Sequence, residues 1–120
     1  MKNAIAKLMV ATMVVDGKLF IDEFNVIKGA IGILGVDDKE YDALINESKE
    51  LSDFGSVLNW SRPALDTLRA LNDPAVSSVA IANMVLVAYS DKNIQDIEID
   101  FIEYCALFLD VPVPKLRKEQ

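Results

Sequence analysis

Apolar residues recur along this chain every three or four positions, the spacing of one helical face. Ile5, Leu8, Met9, Thr12 and Met13 form a first stripe that stops at Asp16-Gly17, a turn signal. A second helix is predicted from about Ile21 to Leu34, with Phe24, Ile27, Ile31 and Leu34 facing inward. Gly35 supplies a left-handed stop, and Val36 is the apolar residue that usually follows one. Gly29 and Gly32 fall inside this helix, where each costs about 1 kcal/mol against alanine, so close packing of another backbone is expected there. Asp37, with Glu40 three residues on, makes a capping box for a third helix, whose apolar face is Tyr41, Leu44 and Ile45 and which runs to about Glu50. From Ser52 to Trp60 the pattern is less regular. Ser52 or Asp53 caps a short helix there, and Ser61-Arg62-Pro63 opens another through Leu65, Leu68 and Leu71. Asp73-Pro74, an acidic cap followed by proline at the first helical position, starts a helix to about Ser90. The last helix spans about Asp96 to Leu109 and is stopped by Val111-Pro112-Val113-Pro114, leaving Lys115 to Gln120 as a polar tail. No segment alternates as a strand would. The expected fold is all-α: one domain over 1–114, a compact bundle of about six or seven helices.

The pattern also nearly repeats itself 75 residues apart. Asp16-Gly17-Lys18-Leu19-Phe20-Ile21-Asp22-Glu23 recurs as Asp91-Lys92-Asn93-Ile94-Gln95-Asp96-Ile97-Glu98. At that offset Met9 falls on Met84, Val10 on Val85, Ile27 on Ile102, Leu34 on Leu109 and Val36 on Val111. Two copies are too few for a solenoid and suit a bundle with an internal pseudo-two-fold.

Composition narrows the chemistry. At 52% hydrophobic residues, with only five glycines and four prolines, the 120 residues can bury a sizeable core. A net charge of −7 argues against nucleic acid, which needs clustered Lys and Arg, and fits a hard cation, a basic partner or plain solubility. There is no histidine, which excludes a Ser-His-Asp triad, a Cys-His pair and a His-ligated metal. With no phosphate loop or activated nucleophile either, the chain is expected not to be an enzyme. Cys105 is the single cysteine and stands among apolar residues, so it reads as a buried small hydrophobe. Met1 to Val15 resembles a signal peptide only superficially, because Lys7 interrupts it and no cleavage site precedes Asp16. Val79 to Tyr89, the longest apolar run, is well short of the roughly 20 residues that span a bilayer. A cytoplasmic protein is expected.

The candidate site is the duplicated acidic pair, Asp16 with Glu23 and Asp91 with Glu98. Asp16 ends a helix, where negative charge opposes the dipole, so its oxygens are expected to have work to do. One possibility is local: it accepts turn amides, while Glu23 and Glu98 satisfy helix-start amides. The other is that the two turns meet and the four carboxylates bind a cation. Oxygen-only ligands suit Ca or Mg. Lys18, Phe20 and Ile21 stand where an EF-hand loop has ligands and its glycine, so the geometry would be a different one.

An apolar helix ending in Asp-Gly, a glutamate seven residues after the aspartate, and a second copy downstream resemble the TerB-like family, which includes the tellurite-resistance protein and the N-terminal domain of a membrane-anchored DnaJ-like co-chaperone. The match carries Asp16, Gly17 and Glu23, then Asp91 and Glu98, and covers about Ile5 to Val111. Val15 and Ser90 stand where that family prefers alanine, and Lys92 replaces the second glycine. The resemblance implies an all-helical fold with acidic residues grouped on one surface, divalent-metal binding, and a role in stress or tellurite response near the membrane's inner face.

Two expectations follow. One is a non-enzymatic, metal-responsive module holding Ca or Mg through Asp16, Glu23, Asp91 and Glu98. The alternative is a protein-interaction scaffold in which these acids only cap turns, with exposed aromatics such as Phe54 and Trp60, and with a protein partner (a membrane-associated one included) or a homodimer.

Overall fold

A computed structural model describes the chain at 1–15, 21–51, 53–89 and 95–115, without the side chains of 21–26. The described residues form six helices and no strand: α1 (Lys2–Val14), α2 (Ile21–Ile33), α3 (Asp38–Ser48), α4 (Phe54–Leu71), α5 (Pro74–Tyr89) and α6 (Asp96–Phe108). The all-helical reading holds.

The helix ends follow from short-range chemistry. Asp37 accepts the Glu40 N–H at 2.8 Å and starts α3. At the start of α4, Asp53 accepts the Ser56 N–H at 2.7 Å, and the Ser56 hydroxyl takes the Asp53 N–H at 3.1 Å. Asp73 accepts from Ala75 at 3.0 Å and opens α5. After α2, Gly35 turns left-handed at φ 92°, its N–H reaching Gly32 and that of Val36 reaching Ile31. After α6 the same pair of bonds recurs, Asp110 to Leu107 and Val111 to Ala106, with Asp110 at φ 58°. Each of these four positions is the earlier one plus 75, and α2 shifted by 75 gives the bounds of α6. The local recurrence therefore extends beyond residue identity to helix length and cap geometry.

Two sequence expectations are corrected. The chain from Asp53 to Leu71 is not a short helix followed by another; α4 is continuous, with Pro63 inside it. Val57, Ser61, Ala64, Leu65 and Leu68 bury one unbroken stripe, and that stripe holds the helix together across the proline. Pro63 and Asn59 both lie on the exposed side, where water can serve the Asn59 carbonyl that the proline leaves without an N–H. The second correction concerns Gly29 and Gly32. Both are exposed, and a Cβ at either would meet nothing within 4 Å, so among the described residues no backbone packs against them.

The core is organised around α1. From Ala4 to Val14 every residue except Lys7 is buried, and the helix packs chiefly against α4 and α5. Leu8, Met9, Met13, Ile27, Leu65, Met84 and Phe101 fill the interior. Thr12, fully buried, satisfies its hydroxyl on the Leu8 carbonyl at 2.8 Å. No described helix is long and apolar enough to cross a membrane.

Candidate functional site

Of the four acidic candidates, Asp16 and Asp91 lie outside the described residues, as does the side chain of Glu23. Glu98 is described. It stands in the first turn of α6, is only 3% exposed, and accepts the Gln95 N–H at 3.0 Å. That is the local role foreseen for it, a carboxylate satisfying a helix-start amide where the dipole favours negative charge. Among the described residues no group of three or more Asp, Glu, Cys or His is placed so that it could hold a metal ion.

The aromatics expected at the surface are instead half-buried and engaged. Phe54 meets Phe101 edge-to-face at 6.1 Å. Trp60 donates its indole N–H to Glu47 at 3.1 Å, and Lys7 places its ammonium 4.9 Å from the ring centre. Both rings therefore pin α4, to α6 and to α3 and α1 respectively. Arg62 and Arg69, two turns apart on α4, hold the Phe108 ring of α6 at 4.7 and 5.0 Å, and Tyr104 stacks on the same ring at 6.4 Å. Phe54, Trp60 and Phe108, each half-buried, tie helices together.

Cys105 is fully buried, as its apolar neighbours suggested, and burial pushes its thiol up to about 12. At that value it is neither nucleophile nor ligand near neutral pH. Burial, with Asp42 adding to it, likewise raises the Tyr41 phenol to about 12.

The feature that sequence reading passed over is α5. It carries no charged residue, yet only Ser77, Ala80, Ile81, Met84, Val87 and Ala88 are buried. Val79 is 48% exposed, Leu86 53% and Tyr89 50%. Two shallow apolar grooves flank the helix. One, of about 280 Å³, lies between it, the start of α1 and Leu34; the other, of about 340 Å³, lies between it and Val111, Pro112 and Pro114. The signal was present in the sequence, since a helix apolar all round has no face suited to water. Length and hydropathy exclude a membrane span for it but do not say how many of its sides are covered.

The chain matches no protein-family model, no characterised protein and no solved structure in the comparisons made.

Proposed function

We propose that this chain is a non-enzymatic, TerB-like binding module that works through a surface rather than a catalytic cleft, in a stress or tellurite-type response in the cytoplasm. The observation that carries this reading is the bare outward half of α5, an uncharged helix on a chain of net charge −7. Exposed apolar area of this kind, continuous over a helix and bordered by apolar grooves, is characteristic of docking faces. Glu98 accepting the Gln95 N–H at the start of α6 supports a structural use of that carboxylate. The recurring helix bounds and caps support an internal pseudo-two-fold of the kind the TerB-like resemblance implies. A photo-crosslinking residue at position 86, in the chain produced in its own cells, should yield an adduct of discrete mass. Absence of any adduct there, with adducts absent also from position 79, overturns the proposal.

A second reading, divalent-cation binding through Asp16, Glu23, Asp91 and Glu98, is favoured by the acidic pair recurring at the same 75-residue offset as the helix caps. Calorimetric titration with Ca or Mg tests it. Heat that disappears in the Asp16→Asn, Asp91→Asn double variant supports the shared site; heat indifferent to that variant, or none at millimolar metal, rejects it.

A further inference from the structure

The outward face of α5 has a regular geometry. Ala75, Val79, Ala82, Leu86 and Tyr89 follow one another at steps of four, three, four and three, and all five are exposed. This is the spacing of a helix–helix seam, in which side chains recurring every 3.5 residues interlock with a facing helix. The positions bordering the seam, Val76, Ser78, Asn83 and Val85, are uncharged as well. The Asn83 amide turns back to its own helix, donating to the Val79 carbonyl at 2.9 Å, so it does not reach outward.

The 75-residue offset says what is missing from this face. It aligns α1 with 77–89, so Val10, Ala11 and Val14 correspond to Val85, Leu86 and Tyr89. In α1 those three positions are buried; in α5 Val85 is half-buried, and Leu86 and Tyr89 are about half exposed. The related helix is thus covered on a side where α5 is bare, although α5 is the one without charges.

We propose that a second copy of this chain covers that face, the two α5 helices packing antiparallel about a two-fold axis through Ala82. The inference rests on the binding-module reading above and names its partner. Three observations select this occupant. Ala82 is the midpoint of the seam and small, which lets two backbones cross closely. Antiparallel pairing about it sets Ala75 against Tyr89 and Ser78 against Leu86, small against large, with Val79 beside Val85. Parallel pairing would instead oppose Tyr89 to Tyr89 and Leu86 to Leu86. Interlocking of large with small is what close-packed interfaces require. Finally, the helix stripe itself carries no charge with which to hold a basic or acidic partner, Lys2 at the edge of one groove giving its ammonium to the Gly35 carbonyl at 2.9 Å, and an uncharged seam is complementary to itself. One helix stripe is narrower than the roughly 800 Å² per partner that a stable interface buries; the grooves on either side of α5 widen it.

The test is sedimentation of the purified chain over a range of protein and salt concentrations. The expected result is a mass rising with concentration to twice the 13.3 kDa of one chain. Added salt strengthens the association, because it screens the repulsion between two copies of charge −7, whereas a contact with a basic partner would weaken. The Val79→Glu, Leu86→Glu double variant should keep its helical circular dichroism, since both side chains are exposed, and sediment as a monomer. Under mild oxidation, Ala82→Cys should cross-link to itself and Ala75→Cys should not. A wild-type chain that stays monomeric throughout, or a dimer that survives the double variant, overturns the proposal. Self-cross-linking of Ala75→Cys in place of Ala82→Cys overturns the antiparallel pairing. A monomer that is still trapped in cells on a different protein from position 86 rejects the second copy while sparing the binding module; a monomer with no adduct rejects both.

Discussion

Glycine plays opposite parts at neighbouring positions of this chain. Gly35 sits at φ 92°, and the nearest atom to an added Cβ is Lys2 Cδ at 3.8 Å, so Gly35→Ala would be strained by its backbone and not by crowding. A loss of about 1 kcal/mol is expected, the cost of a left-handed non-glycine residue. Gly29→Ala and Gly32→Ala should each gain about 1 kcal/mol, because both positions are helical and open. Urea denaturation of the three variants measures all of this. The stop at Gly35 was legible because helix capping is decided by a few adjacent residues. The openness around Gly29 and Gly32 was not, because it depends on which helix passes by. A pH dependence also belongs to this scale. Cys105 and Tyr41 hold their protons up to about 12 when folded, against ordinary values of 9.0 and 10.0. Above those ordinary values the unfolded chain loses protons that the folded one keeps. Stability is therefore full below pH 9.0, falls as pH rises, and has lost both contributions above about 12. The urea midpoint should drop between neutral pH and about pH 11, less steeply in Cys105→Ala.

Among the elements, α4 is the one whose extent the sequence misrepresented. Pro63 looks like a helix start because proline is well suited to a first turn, yet the buried stripe on either side of it is in phase. An in-phase apolar stripe gains more from staying on one axis than the proline loses by deleting one hydrogen bond. Pro63→Ala should accordingly stabilise the protein by about 2 kcal/mol, read as a higher melting temperature, since an interior proline costs about 3 kcal/mol and part returns through the unfolded chain. A fall in melting temperature would mean that a bend at Pro63 is needed for the ring contacts of Phe54 and Trp60 to form together. The remaining helices were legible to within a residue or two because their caps, Asp37, Asp73 and the turn at Gly35, are local signals. How much of α5 is covered was not legible, since burial is a property of neighbours.

At the scale of the whole molecule, the candidate acids and the apolar face answered differently to sequence reading. The repeat pointed to the acidic pairs, and it led equally to the comparison of α1 with α5, which no motif would have suggested. The same comparison has a consequence for how the protein is made. The helix at the centre of the core precedes in the sequence the two helices, α4 and α5, against which it chiefly packs. During synthesis α1 therefore leaves the ribosome before either of them: a nascent chain ending short of residue 54 lacks both, and one ending short of residue 74 has α4 but not yet α5 to cover Leu8, Met9 and Val10. Completion of the core therefore waits for α5, and until then the growing chain leaves part of its apolar surface uncovered.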